Sequence, residues 1–306
     1  MSFVEDFKPR PGAAYLLIAM TTIIWAGSTV LSRAVHLEVP PFGLSFWRWS
    51  LAALVLLPLA WPELKRKRDL IRANFKLLCL MGLLQVGSSA VLVLGLNFTT
   101  AVNGSLINAS QPALTALPAW LIAKDKLTWG QGVGIFAAMT GVTVMITRGD
   151  PSALLELRFN QGDLLVLMAI GGWACYAPLI HRIPGELGLA TTLFFITLTG
   201  SAMLIPFYVV ESLFFRTVEL SSTTLLSVLY LGLVVSAFSV LIWNAGIKSI
   251  GPNRAVILLN LIPVFGVLMA IGFLGESLFA YHLVGVAFVA CGIGLVIFLG
   301  RRGNRK

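Results

Sequence analysis

Long apolar runs separated by short polar connectors make up almost the whole chain. An α-helix needs about seventeen or more nearly uncharged residues to cross the hydrocarbon core of a bilayer, whereas barrel strands alternate over about ten residues. The runs therefore predict an all-α integral membrane protein with ten transmembrane helices. The predicted spans are Ala13–Leu31, Phe42–Trp61, Leu77–Leu96, Ala101–Ile122, Gly130–Ile146, Leu164–Ile180, Thr191–Val210, Thr223–Ile247, Ala255–Phe273 and Leu283–Leu299.

The stretch from Gly95 to Ile146 occurs a second time, 151 residues later. Each copy has an apolar segment with a central proline, an acidic turn, and a second apolar segment with two glycines. The matching residues are Pro112 and Pro263, Asp125 and Glu276, Gly134 and Gly285, and Gly141 and Gly292. Nearer the amino terminus the offset is 148, as for Trp25 and Trp173, Phe46 and Phe194, and Pro58 and Pro206. The repeat predicts two five-helix halves, residues 1–148 and 149–306.

Five crossings per half have a topological consequence. A half with an odd number of crossings must insert upside down relative to its copy. Inverted repeats recur in secondary transporters, where the substrate binds near the membrane midplane between the halves. We therefore expect two inverted halves around a central cavity.

The placement of charge sets the expected orientation. The chain is 58% hydrophobic and 11% charged, with a mean hydropathy of +0.90 and a net charge of +9. Most of the basic residues fall in connectors on one side, whereas the opposite side holds only Arg33, Arg148, Arg158 and Arg216. The positive-inside rule then predicts that both termini are cytoplasmic. Because the charge is accounted for by orientation, we expect no nucleic-acid partner.

The ordered motifs of both halves resemble a known family. These motifs are the Trp-Ala segments at Trp25 and Trp173, the central prolines, and the acidic-x-Leu turn followed by Gly-x6-Gly. In this order they resemble the paired EamA domains of the ten-helix drug/metabolite transporter superfamily. The resemblance implies a bacterial inner-membrane exporter of metabolites, with amino-acid exporters as the nearest type. Asp125 departs from the more usual Glu at its position.

Polar and aromatic residues recur near the middle of several predicted spans. Polar groups that face lipid are costly, so side chains at matched depth predict a substrate site. Asn108 and Gln111 are the leading candidates because, with Gly104 and Thr115, they form one polar stripe at helical spacing. The full predicted set is Trp25, Ser28, Gln85, Ser88, Ser89, Asn108, Gln111, Trp173, Tyr176, Ser236, Ser239, Trp243 and Asn260. For the serines the alternative is interhelical packing, and for Trp243 it is an interfacial belt.

Pro112 and Pro263 are predicted to kink their helices. Proline has no amide hydrogen, so each frees the carbonyl group four residues earlier, at Asn108 and Leu259 respectively. Each kink is either a moving hinge or a static bend.

Charged residues inside the spans are scarce. All thirteen Asp and Glu residues lie in connectors or at helix ends, so we expect a facilitator without a buried carboxylate to carry protons. Arg48 lies well inside a span and either binds a substrate carboxylate or, as we favour, snorkels outward. His181 and His282 are expected at the membrane interface.

The repeated turn and glycine residues have structural explanations. We expect Asp125 and Glu276 to accept hydrogen bonds from the free N–H groups of the following helix. Small residues on one helix face allow close packing, which we expect of Gly134, Gly141, Gly285 and Gly292.

The sequence thus predicts an exporter of small zwitterions, most simply amino acids, that works by alternating access. The alternative is a proton-coupled antiporter of drugs or other metabolites such as nucleotide sugars. A channel is disfavoured because a pore needs no inverted halves, and an enzyme because no His-Glu-x-x-His, Gly-x-Ser-x-Gly or phosphate-binding Gly-Lys motif occurs. We expect no cofactor or metal, no disulfide, and a monomer or weak dimer in the bilayer.

Overall fold

The computed structural model describes residues 11–123, 129–150, 152, 160–250 and 258–303, which contain helices and no strand. In the first half the helices are α1 Pro11–Ala34, α2 Pro41–Arg66, α3 Arg68–Gly95, α4 Ala101–Asn108, α5 Gln111–Ala123 and α6 Trp129–Ile146. In the second half they are α7 Gln161–Leu179, α8 Leu189–Phe214, α9 (Ser222–Leu229, Tyr230–Phe238 and Ser239–Ile250), α10 Leu261–Leu274 and α11 Ala280–Gly303.

Six of the described helices are long and apolar enough to cross a membrane. They are Gly12–Ala34, Pro41–Arg66, Arg68–Gly95, Gln161–Leu179, Leu189–Phe214 and Ser222–Trp243, with shorter apolar helices at Gly132–Ile146, Leu261–Leu274 and Ala280–Leu295. Large apolar side chains such as Leu16, Phe136 and Phe273 point outward and are exposed. Hydrocarbon favours such an outer surface, because in lipid only polar groups need to be shielded.

Three predicted spans differ most from the observed helices, and one of them, the ninth, is interrupted by a turn at Asn260. The third begins at Arg68 instead of Leu77, because charged residues that are good helix formers continue the helix beyond the apolar run. The fourth is divided into α4 and α5 by a turn at Ala109 and Ser110. The predicted turn residue Asp125 lies outside the described residues.

Helices from the two parts of the chain pack against one another in corresponding pairs. Helix α1 packs against α9 and α10, while α7 packs against α3 and α5. Helix α2 packs against α8, and α6 packs against α11. Every one of these contacts joins the first five predicted spans to the last five.

Glycines allow the close approach of α6 and α11. A Cβ atom at Gly141 would lie 2.5 Å from the carbonyl oxygen of Gly285 and 2.9 Å from the Cβ of Phe288. A Cβ at Gly292 would collide with the carbonyl oxygen of Gly134. The packing role expected of these glycines is confirmed.

Candidate functional site

The helical backbone is irregular at four places close to predicted site residues. Helix α3 is π-helical over Leu83–Gly87, and α9 is π-helical over Tyr230–Phe238. The turn at Ala109 and Ser110 separates α4 from α5, and a turn at Asn260 precedes α10. These pairs follow the 151-residue offset, since 83 corresponds to 234 and 109 to 260. π-Helical segments are frequent at functional sites, so these four places define the region to inspect.

Trp25 of α1 contacts two predicted site residues of α9. Its Nε1 donates a hydrogen bond to Ser239 Oγ at 2.7 Å, and Ser239 Oγ donates in turn to the carbonyl oxygen of Val235 at 2.5 Å. The rings of Trp25 and Trp243 have centroids 5.2 Å apart. Trp243 therefore contacts the predicted cluster directly. Ser28 instead donates to the carbonyl oxygen of Trp25 within α1.

Trp173 of α7 makes a similar contact with α3. Its Nε1 donates to the carbonyl oxygen of Gln85 at 3.2 Å. Gly172 lies so close to Ser88 that a Cβ there would overlap the serine hydroxyl. Trp173 corresponds to Trp25 at offset 148, and Ser88 corresponds to Ser239 at offset 151. The two tryptophans thus make related contacts, α1 to α9 and α7 to α3, although the acceptors Ser239 and Gln85 are not at corresponding positions.

The remaining predicted residues are more dispersed. Asn108 ends α4 and Gln111 begins α5, so the turn between them interrupts the predicted continuous stripe. In the described part of the chain, no hydrogen bond joins either side chain to a tryptophan cluster. Tyr176 packs against Leu78 and its apolar neighbours, and Ser236 is buried without a hydrogen-bond partner. Asn260 is half-buried at the turn before α10.

Arg48 of α2 does not snorkel outward, and that expectation is wrong. The side chain is 6% exposed, and its Nη2 donates to Ser89 Oγ at 2.7 Å. Its guanidinium carbon lies 5.0 Å from the centroid of the Trp49 ring. A predicted site residue, Ser89, is therefore bound to a buried cation.

A buried ionisable network joins α7, α4 and α11. Asp163 is 0% exposed, and its carboxylate accepts hydrogen bonds from Thr99 Oγ1 and from Asn103 Nδ2, the latter at 3.0 Å. Asn103 Oδ1 lies 2.6 Å from His282 Nε2. The backbone N–H of Phe279 donates to His282 Nδ1 at 3.0 Å, so Nε2 carries the proton donated to Asn103.

The sequence patterns do not reveal this network because Asp163 and His282 both lie near helix ends. His282 was expected at the membrane interface, but it is 2% exposed. Asp163 falls in the first turn of α7, where a carboxylate commonly serves as a cap. Burial of either residue depends on which neighbouring helix covers it, and no local pattern reveals that.

Carboxylates also bind the first turns of other helices. Glu276 accepts hydrogen bonds from the backbone N–H groups of Ala101 at 2.9 Å and Val102 at 2.8 Å. Gly275, with φ of +66°, ends α10 in a left-handed conformation that glycine adopts without strain and brings Glu276 toward α4. Glu276 was expected to bind the helix that follows it. It binds the start of α4 instead, and Arg33 Nε lies 3.9 Å from the same carboxylate.

Apolar outer faces on helices of membrane-spanning length, with polar contacts between helices, define a multi-pass helical membrane protein. The chain belongs to the EamA-like transporter family, which matches residues 12–147 and again residues 160–298.

Several relatives cover nearly the full chain. The uncharacterized transporter YyaM of Bacillus subtilis is 31% identical over 91% of this chain and 92% of its own. The probable terminal-alkyne amino-acid exporter of Streptantibioticus cattleyicolor is 27% identical over 93% and 94%. The probable amino-acid metabolite efflux pump of Salmonella typhimurium is 24% identical over 92% and 94%.

A solved crystal structure shares the fold. It superposes with a TM-score of 0.62, at 19% sequence identity, and the match covers 96% of this chain and 99% of the other.

Proposed function

We propose that this protein is a secondary transporter that exports small metabolites, with amino acids as the substrate class, by alternating access. It spans a bacterial inner membrane ten times as two inverted halves, residues 1–148 and 149–306, with both termini cytoplasmic, and it is not an enzyme. Two features support the inverted halves. Helix α1 packs against α9 and α10, just as its counterpart α7 packs against α3 and α5. The family model also matches once in each half.

One observation carries the alternating-access proposal. Trp25 donates across to the second half at Ser239, and Trp173 donates across to the first half at Gln85. The offset makes α1 equivalent to α7 and α9 equivalent to α3, so in inverted halves the two contacts would lie on opposite sides of the midplane. A transporter that opens to one side at a time needs two such contacts, each able to separate while the other holds.

The polar residues of the interrupted helices are proposed to bind substrate. Asn108 and Gln111 border the turn between α4 and α5, where Pro112 cannot donate to the carbonyl of Asn108. A free carbonyl group and two amide oxygens can accept hydrogen bonds from the ammonium group of a zwitterion. Pro112 and Pro263 would serve as hinges. The variants Asn108→Ala and Gln111→Ala should impair transport without lowering the amount of folded protein, and normal rates in both would contradict this assignment.

Amino acids are the proposed substrates because two relatives carry names of amino-acid exporters. The buried Arg48 also argues against organic cations, which it would repel. The test is uptake of a labelled amino-acid mixture by proteoliposomes, with and without a pH gradient. We expect uptake that is independent of the gradient, and strict dependence on it would contradict facilitated transport.

A proton-coupled antiporter is the second candidate, favoured by the burial of Asp163. A carboxylate held among Thr99, Asn103 and His282 near one end of the bundle is a group whose protonation would weaken contacts between three helices. The two candidate functions predict different transport behaviour for one variant. Asp163→Asn would abolish gradient-driven transport in an antiporter, whereas in a facilitator the gradient would make no difference before or after the substitution.

A further inference from the structure

Arg48 presents a buried positive charge that no carboxylate of the described residues approaches within 4.0 Å. It lies seven residues after Pro41, about 10 Å along α2 from the start of the helix at a rise of about 1.5 Å per residue. It is therefore well below the membrane surface. Its burial is 94% complete, and its Nε has no hydrogen-bond partner.

The contacts that Arg48 does make leave its charge uncompensated. These contacts are one hydrogen bond to the Ser89 hydroxyl and a cation–π contact with the Trp49 ring, and neither partner carries a negative charge. Burying a cation is costly even after the protein relaxes, and a counter-ion normally offsets that cost. A protein that keeps such a residue deep in a bilayer is accordingly expected to use it.

Other polar groups near Arg48 lack partners as well. Ser45 and Trp49 flank it on α2, and the Ser45 hydroxyl and Trp49 Nε1 are buried without hydrogen bonds. The π-helical segment of α9 contacts Arg48, because a Cβ at Gly232 would lie 2.9 Å from the Arg48 carbonyl oxygen. Ser236, four residues further along this segment, is a third buried polar group without a partner.

Ser89 lies next to the contact between α3 and the Trp173 region of α7. Ser89 follows Ser88, which packs against Gly172 beside Trp173. A ligand bound by the Arg48 guanidinium group and the Ser89 hydroxyl would therefore extend toward the interface of α3 and α7.

We propose that Arg48, with Ser89, binds the carboxylate group of the transported molecule, so that the substrates are small carboxylates or zwitterions and not organic cations. This inference rests on the proposed function in one respect, because it takes the bound carboxylate to be the transported substrate. Carboxylate binding itself can be measured without transport. A guanidinium group offers two parallel N–H donors that match both oxygens of a carboxylate.

The first test is thermal stabilisation of the purified protein in detergent by matched probes. Benzoate and L-phenylalanine carry a carboxylate, and benzamide and L-phenylalaninamide do not. The wild type should be stabilised by the carboxylates alone. Arg48→Gln should weaken carboxylate binding about 10-fold to 100-fold, Arg48→Lys should weaken it less, and Arg72→Gln, which removes an exposed charge, should leave it unchanged. Equal stabilisation by acid and amide, or an unchanged preference in Arg48→Gln, would overturn the proposal.

The second test separates ligand binding from a purely structural role. Without ligand, Arg48→Leu should have a melting temperature equal to or above that of the wild type, because it removes a buried charge that has no counter-ion. A lower melting temperature would mean that Arg48 serves to hold α2 against α3, and the proposal would fail.

The same variants distinguish this proposal from the proposed function. If Arg48→Gln exchanges amino acids in proteoliposomes at the wild-type rate, the carboxylate site is contradicted and the transport proposal is not. Absence of amino-acid exchange, with carboxylate binding that depends on Arg48, would do the reverse.

Discussion

Glu63 and Glu211, which are 148 residues apart, each bind the first turn of the helix that carries the other. Glu63, near the end of α2, accepts hydrogen bonds from the N–H of Gly188 at 3.0 Å and from Thr191 Oγ1 at 2.7 Å, where α8 begins. Glu211, near the end of α8, accepts from the N–H groups of Phe42 at 3.1 Å and Gly43 at 2.7 Å, where α2 begins. A carboxylate is unfavourable at the end of its own helix but favourable at the start of another. The reciprocal arrangement is what two antiparallel copies of one helix produce.

Loss of either carboxylate should therefore destabilise the pairing of α2 with α8. Glu63→Ala and Glu211→Ala should each lower the free energy of unfolding by about 1–3 kcal/mol, because buried N–H groups lose their acceptor. Unfolding in mixed detergent micelles measures this. Glu219→Ala is the control, since that side chain is exposed. Variants of Glu63 and Glu211 that unfold like the control would contradict the capping role.

Asn103 links Asp163 to His282, so its amide should be difficult to replace. Asn103→Ala removes the hydrogen-bond partner of Asp163 Oδ2 and of His282 Nε2, and we expect a loss of about 1–3 kcal/mol in the free energy of unfolding for each atom left unpaired in this way. Asn74→Ala is the matched control, because Asn74 donates only to Leu70 within its own helix.

A double-mutant cycle between Asn103→Ala and Asp163→Asn measures the link directly. We expect a coupling free energy of about 0.5–3 kcal/mol. Strictly additive effects would mean that the two side chains do not interact in the folded protein.

Replacing two glycines of α6 with alanine should change the melting temperature in opposite directions. A Cβ at Gly141 would lie 2.5 Å from the Gly285 carbonyl oxygen, whereas a Cβ at Gly132 would meet nothing within 4 Å. Alanine is favoured over glycine in helices by about 1 kcal/mol, so Gly132→Ala should raise or preserve the melting temperature. Gly141→Ala should lower it by forcing α6 and α11 apart. Equal effects of the two substitutions would contradict the glycine-mediated contact.

The two indole N–H groups should matter for transport separately from their rings. Trp25→Phe and Trp173→Phe keep an aromatic ring but remove the donors to Ser239 and Gln85. A hydrogen bond with a net value of about 0.5–1.5 kcal/mol corresponds to a change of about 2-fold to 10-fold in the rate of substrate exchange. Ser239→Ala should reproduce the effect of Trp25→Phe, and the double variant should be no worse than either one. Wild-type rates in both tryptophan variants would count against the proposed contacts.

Local patterns predict the helices and part of the candidate site. The apolar runs predicted where helices occur, and the repeat paired Trp25 with Trp173, whose contacts with α9 and α3 the structure contains. Pro112 predicted a kink within one continuous helix, whereas the structure divides that helix at Ala109 and Ser110. The substrate-binding roles of all these residues stay predictions.

Tertiary packing explains what the sequence patterns missed. A helical stripe through Asn108 and Gln111 assumed one continuous helix, but α4 and α5 are separate. Snorkelling was expected of Arg48 because its depth in α2 is visible in the sequence, while the cover that α3 and α9 provide is not. Burial of Asp163 depends in the same way on the approach of α4 and α11.

The most direct test of the account is counterflow of labelled L-phenylalanine into proteoliposomes preloaded with an excess of unlabelled amino acids. A protein that exposes its site to one side at a time exchanges internal for external substrate, so the labelled amino acid should accumulate transiently above its equilibrium level. A channel equilibrates label without this overshoot. We predict an overshoot that requires the protein and disappears without preloading. Its absence for every amino acid in the preload would contradict an alternating-access amino-acid exporter.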